Sequence, residues 1–185
     1  MSSAAHAALV AHLLEHSVRR GDFTLKSGKK STWFIDAKQT ACRAEGMLLV
    51  ADVALAEIPD DVTAIGGLTM GADAVAFGIA AIAATRGRAL RSFSVRKEVK
   101  GHGGGGRIAG ALQAGDKVVI TEDAVTRGVS MLEAAAVIRE EGVAVPVLLL
   151  PLVDRGGTVE AMAAEQGLPL RALVTALDLG FPYEG

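Results

Sequence analysis

The chain is 185 residues long, half of them hydrophobic and only 4% aromatic, with a formal net charge of −2 at pH 7. That length suits one packed core, and the near-balanced charge gives no bulk attraction to nucleic acid or to an anionic membrane. The lone Cys42 excludes an internal disulfide framework and fits a reducing compartment. The strongest apolar runs, 74–84 and 143–153, are too short to span a bilayer. No basic region precedes an apolar block at the start, so a soluble cytoplasmic protein is expected.

Residues 4–19 carry Leu9, Leu13, Leu14 and Val18 at helical spacing and predict an amphipathic helix. Within it, His12-Leu13-Leu14-Glu15-His16 spells the H-x-x-E-H pattern of inverted zinc proteases. A catalytic zinc needs a third protein ligand, and none is set up on a partner helix. His12 and His16 are therefore expected on the solvent side of a surface helix. Two strand-like pieces, around Phe23-Thr24-Leu25-Lys26 and Ser31-Thr32-Trp33-Phe34-Ile35-Asp36, flank a Ser-Gly-Lys-Lys turn and predict a hairpin. On its residues alone this hairpin needs nothing beyond a solvated lysine and a core aromatic pair.

A second amphipathic helix is predicted over 43–58, ended by Pro59. Residues 63–68 read as a buried strand running into a glycine-rich turn, Gly66-Gly67-Leu68-Thr69-Met70-Gly71, and 71–85 as an Ala-rich buried helix. The strand predicted at 90–95 feeds Arg96-Lys97-Glu98-Val99-Lys100-Gly101-His102-Gly103-Gly104-Gly105-Gly106-Arg107. Four consecutive glycines cannot form the interior of an ordered element. The segment reads either as a solvated basic linker or as a cationic lid that closes on a polyanion and neutralises a leaving group. The glycine run lacks the spacing of a dinucleotide fingerprint, and no Walker A sequence is present.

The stretch 117–130, KVVITEDAVTRGVS, is the most informative. A short buried strand, 118–121, is followed by two carboxylates, Glu122 and Asp123. Then comes a polar turn, Thr126-Arg127-Gly128-Val129-Ser130, and a helix predicted over 131–141. Backbone N–H groups and the positive helix end at such a turn favour a phosphate. The carboxylates can accept hydrogen bonds from vicinal hydroxyls or hold a hydrated Mg²⁺. The alternative is an ordinary strand-to-helix turn with a solvated acid pair. Val129 is awkward if that position must be left-handed. Residues 143–153 predict another buried strand, delivering Asp154-Arg155-Gly156-Gly157, where Arg155 can fork two donors onto a carboxylate or pair with Asp154. A short helix over 158–167 follows, then a last strand over 170–177 with Leu173, Thr175 and Leu177 on one face. Alternating strands and helices, with polar chemistry after the strands, predict an α/β fold with a doubly wound, mostly parallel sheet and a crevice at the strands' carboxyl ends.

Three of these motifs resemble one family in order. The 117–130 stretch resembles the 5-phosphoribosyl 1-diphosphate (PRPP) signature of type I phosphoribosyltransferases. F-T-L-K-S-G with S-x-x-F-x-D resembles the N-terminal hood of orotate phosphoribosyltransferases, and R-K-x-x-K-x-H-G resembles their catalytic loop. Departures are Arg127 and Val129 in the phosphate loop, and Thr69-Met70 where some members carry Tyr-Lys. The resemblance implies one domain over 1–185, with the hood at about 1–40 and the core at about 41–185. It implies transfer of phosphoribose from PRPP to orotate in pyrimidine synthesis, with Mg²⁺ held mainly through PRPP and no direct protein ligand. Catalytic roles fall on Lys100, His102 and Asp123. PRPP contacts fall on Lys26, Arg96, Lys97, Lys100, His102, Glu122, Asp123, Ala124, Val125, Thr126, Arg127, Gly128, Val129 and Ser130, and orotate contacts on Phe34, Thr126 and Arg155. It also implies a homodimer in which loop 96–107 completes the neighbouring site. Three rivals make other demands. A purine phosphoribosyltransferase would not need Arg155 or the hood, a PRPP-sensing regulator would need a basic DNA-binding extension, and a zinc hydrolase would need bound zinc.

Overall fold

The computed structural model describes residues 3–24, 28, 30–99 and 106–185. The chain opens with α1 (Ser3–His16) and an antiparallel pair, β1 (Val18–Thr24) and β2 (Lys30–Ile35), followed by α2 (Lys38–Ala41) and α3 (Ala44–Glu57). The core continues through β3 (Ala64–Leu68), α4 (Gly71–Thr85), β4 (Arg91–Val95), β5 (Ile108–Gly110) and β6 (Asp116–Val125). It closes with α5 (Val129–Glu141), β7 (Ala144–Asp154), α6 (Val159–Glu165) and β8 (Val174–Thr175). Six strands form one sheet in the order β5-β4-β3-β6-β7-β8, parallel throughout except for β5.

Period-two alternation sorts the core into two layers. Val119 of β6 and Leu148, Leu150 and Leu152 of β7 join α3 and α4 in one cluster. Val118 and Ile120 of β6 and Leu149 of β7 join α5 and α6 in the other. Helices therefore cover both faces of the sheet, as the apolar runs predict. Each layer depends on close packing: Ile120 is fully buried, and its truncation to Ala costs about 2–5 kcal/mol.

The hairpin forms as predicted, with Arg19 opposite Phe34 and Arg20 opposite Trp33. Along β2, Ser31, Trp33 and Ile35 turn inward and Lys30, Thr32 and Phe34 outward. Several expectations are corrected. The first helix stops at His16, and Val18 belongs to β1. His12 does not face solvent; its Nδ1 lies 3.1 Å from the Thr40 hydroxyl, wedged against the start of α3. Gly66 and Gly67 lie inside β3 rather than in a turn, because any Cβ there would strike the Phe93 and Thr121 carbonyls of the flanking strands. The strand expected over 170–177 shrinks to β8 and an isolated bridge at Leu170, with Leu173 buried and Leu177 60% exposed.

Candidate active site

The acid pair sits within β6, not after it. The strand runs on past the apolar run because Glu122, Ala124 and Val125 stay in register with Pro151, Val153 and Asp154 of β7. Both carboxylates are buried, Glu122 at 6% and Asp123 at 9% exposure. The first residue of α4, Gly71, packs directly on them, and a Cβ there would collide with Glu122 Oε1. Asp123 accepts a hydrogen bond and ion pair from the Lys38 ammonium at the start of α2. Burial works against charge on Lys38, but the bond to Asp123 and the charges of Asp123, Asp36 and Glu122 outweigh it and raise its pKa. Glu122 is pushed up to about 7, first by burial and then by its hydrogen bond with Asp123, against an opposing hydrogen bond from Ser130. Near neutrality the Glu122 carboxyl is therefore poised between its protonated and ionised forms.

Beyond the pair, residues 126–128 turn the chain into α5, which begins at Val129, two residues earlier than predicted. Gly128 takes the left-handed position at φ 68°, so Val129 is free to be helical and the strain that its branched side chain threatened does not arise. Among the described residues no side chain caps this helix end and its first turn holds no acid. Its leading N–H groups therefore face the turn as donors for an anion. A cleft of about 490 Å³ lies here, lined by Leu68, residues 124–130 and Glu133. Ala124, Val125, Thr126, Arg127, Gly128, Val129 and Ser130 all line it.

On the other side, the Thr69–Met70 peptide is cis. Thr69 is already committed: its N–H donates to the Val95 carbonyl at 2.8 Å and its hydroxyl to Asp73 at 2.8 Å. Ser94 donates to the other Asp73 oxygen at 2.7 Å. The N–H and the hydroxyl hydrogen of Thr69 are thus both taken up within the protein.

The feet of the basic segment are fixed. Arg96 N–H donates to the Arg107 carbonyl and Arg107 Nε returns to the Arg96 carbonyl, both at 2.7 Å. The Arg107 guanidinium pairs with Glu133 and its N–H donates to Glu141 at 3.0 Å, which ties this foot to α5. Because Glu133 also lines the cleft, the segment leaves and returns at the cleft's edge. Lys97 is exposed there. Lys26, Lys100 and His102 lie outside the described residues.

At the hood end, Arg155 is only 7% exposed. Its Nη2 donates to the Ser31 hydroxyl and the Trp33 carbonyl, both at 3.1 Å, and pairs with Glu184. The guanidinium lies 4.8 Å from the Trp33 ring centroid. Asp154, the partner considered from sequence, instead accepts the Gly156 and Gly157 N–H groups at 3.0 Å. Phe34 is 40% exposed on the outer face of β2, 5.7 Å from Phe23, and Thr126 presents its carbonyl to Thr158 at 3.0 Å. Lys38, Asp73 and Glu184 were missed in the sequence. Each is an isolated charge whose partner lies far along the chain or in an unmarked turn, and no spacing signals it.

No protein-family model matches the chain. Among curated proteins, the orotate phosphoribosyltransferase of Synechocystis sp. is 39% identical over 174 residues, 93% of this chain and 87% of its own length. That of Corynebacterium glutamicum is 39% identical over 97% of this chain and 96% of its own. The Mycobacterium tuberculosis orotate phosphoribosyltransferase solved with Fe(III) dicitrate superposes with a TM-score of 0.84 at 29% identity, covering 96% of this chain and 99% of that one. The same enzyme solved with PRPP gives 0.78 at 28% identity, with the same coverage. The α/β fold with its mostly parallel sheet is theirs, and on these similarities the chain belongs to the orotate phosphoribosyltransferase family.

Proposed function

We propose that this chain transfers the 5-phosphoribosyl group from PRPP to orotate, yielding orotidine 5′-monophosphate and diphosphate in pyrimidine synthesis. One observation carries the reading: a buried, donor-poor acid pair stands in line with the uncapped N-terminus of α5, and the loop between them lines a single cleft. A vicinal diol suits the carboxylates, and the 5′-phosphate suits the N–H groups of 126–130.

As the bond from C1 of the ribose to the diphosphate breaks, the sugar gains positive character and the leaving group gains negative charge. Asp123, held by Lys38, and Glu122 fix the hydroxyls and screen the cation. Arg96 and Lys97, with Lys26, Lys100 and His102, meet the diphosphate, and Lys100 and His102 promote its departure. A ring nitrogen of orotate forms the new bond to C1 and gives up its proton, so no side chain acts as nucleophile. Phe34, Thr126 and Arg155 position the base. Two carboxylates, one already bonded to Lys38, are too few donors for a six-oxygen cage, so the donor set fits Mg²⁺ carried on PRPP oxygens. Bound there, Mg²⁺ neutralises diphosphate charge.

The chain works as a single domain with the hood over its crevice. It acts in the cytoplasm as a homodimer whose 96–107 loops complete each other's sites; no helix among the described residues is long and apolar enough to cross a membrane. The test is diphosphate release with PRPP and Mg²⁺. Orotate-dependent release, abolished or strongly reduced in Lys100→Ala, is the expected result, and equal rates with hypoxanthine or adenine would overturn the base assignment.

A further inference from the structure

Segment 181–184 follows β8 and returns to the hood. Phe181 stacks on Trp33 with centroids 4.5 Å apart and planes at 9°. Tyr183 covers Gly157 so closely that a Cβ there would come within 2.6 Å of its ring. The Glu184 N–H donates to the Arg155 carbonyl at 3.1 Å, while its carboxylate accepts from the Ser31 hydroxyl at 2.7 Å and from Arg155 Nη2. One glutamate thus joins three parts of the chain: the inward face of β2, the loop after β7 and the tail. Its partner is not a surface cation, for the Arg155 and Glu184 side chains are 9% and 16% exposed. Left unpaired at that depth, a guanidinium would swing out toward water.

We infer that Glu184 is a positioning residue for base recognition: it fixes Arg155 over the Trp33 ring at the hood end of the crevice and so sets the geometry in which the base is held. The inference rests on the orotate reading above and deepens it. Nη2 has two hydrogens and three acceptors within reach, Ser31, Trp33 and Glu184, so the protein itself saturates that end of the guanidinium. The Nε–H is buried without a partner among the described residues, a donor held in a fixed direction for an acceptor the protein does not supply. Glu184 touches neither the acid pair nor the phosphate turn in any of these contacts. Its loss therefore reaches the base and not the sugar phosphate.

The test is steady-state kinetics on the full chain, varying orotate and PRPP separately. Wild type comes first: no orotate-dependent diphosphate release would remove both the functional reading and this inference, whereas release isolates the inference. Glu184→Gln is expected to raise the orotate KM about tenfold, with the PRPP KM and kcat within about twofold, and Glu184→Asp is expected to recover part of the loss. An orotate KM unchanged in Glu184→Gln overturns the inference. So does a lower one, which would mean that the tail occupies the substrate's place, and so does an equal rise in both KM values. If Glu184→Gln fails to fold by circular dichroism, Ser31→Ala decides. It removes one anchor of the carboxylate and keeps the ion pair, so a roughly threefold rise confined to the orotate KM supports the inference and no change overturns it.

Discussion

Strand β6 carries buried carboxylates at both ends, and the two ends are treated in opposite ways. Asp116, at the start, is 5% exposed and surrounded by donors: the Gln113 N–H and Thr63 hydroxyl at 2.7 Å, and the Arg91 guanidinium. Burial alone would raise its pKa, but those donors and the Arg91 charge outweigh it and hold the carboxyl below its ordinary value. Glu122, at the far end and equally buried, has the opposite shift, up to about 7, because burial and its neighbour Asp123 dominate. Burial is therefore not what separates structure from function on this strand; the supply of donors is. A saturated carboxylate locks β6 to its neighbours, whereas an undersupplied pair costs stability and leaves acceptors ready for a ligand.

Exchanging the ends' chemistry by mutation breaks this contrast, most of all at Asp123. Asp123→Asn should lower kcat/KM for PRPP by about 10²-fold or more, since it removes the charge opposite the developing oxocarbenium, while the melting temperature holds or rises. The mirror image is Asp116→Asn, which strands Arg91 and two other donors, the Gln113 N–H and the Thr63 hydroxyl. Denaturant titration should give a loss of about 2–3 kcal/mol with kcat/KM unchanged once folded.

The pH dependence sharpens the contrast through its sign. Glu122 titrates near 4.5 when unfolded and at about 7 when folded, so the folded state binds the extra proton and stability falls as pH rises from 4.5 to 7. Asp116 does the reverse: its contribution is present above its unfolded value of 3.8 and is lost as pH falls through the depressed folded one. Glu122→Gln should flatten the slope between pH 4.5 and 7 and add about 1–2 kcal/mol above pH 7, as read by urea unfolding across pH. The smallest effect belongs to Lys38, whose side chain is 40% exposed and so partly screened. Lys38→Met should raise the PRPP KM about fivefold, with Lys38→Arg close to wild type.

The same two ends show what the sequence made legible. Apolar strands and Ala-rich helices could be read because burial on both faces leaves a continuous composition signal: α4 spans 71–85 as predicted, and β3 and β4 fall within a residue or two. The acid pair and the turn to α5 were visible because they are contiguous. The boundary of β6 was not. Near its end Glu122, Ala124 and Val125 pair by backbone with β7, and no side-chain pattern reports that register. The predicted Leu170–Leu177 alternation failed because continuous pairing with β7 is limited to Val174 and Thr175, with one isolated bridge at Leu170. Contacts between distant segments were likewise invisible: Lys38 to Asp123 spans 85 residues and Ser31 to Glu184 spans 153. Gly128 was placed in the turn, but that it alone takes the left-handed position depends on φ.

The most direct test is to follow the Glu122 carboxyl by ¹³C NMR across pH, assigned against Glu122→Gln, with and without PRPP and Mg²⁺. A diol donating to the pair must favour its ionised form. The expected result is a titration near 7 in the free protein that falls by more than about one unit when PRPP binds. A free-protein value at the ordinary 4.5, or one that PRPP leaves unmoved, would contradict the account.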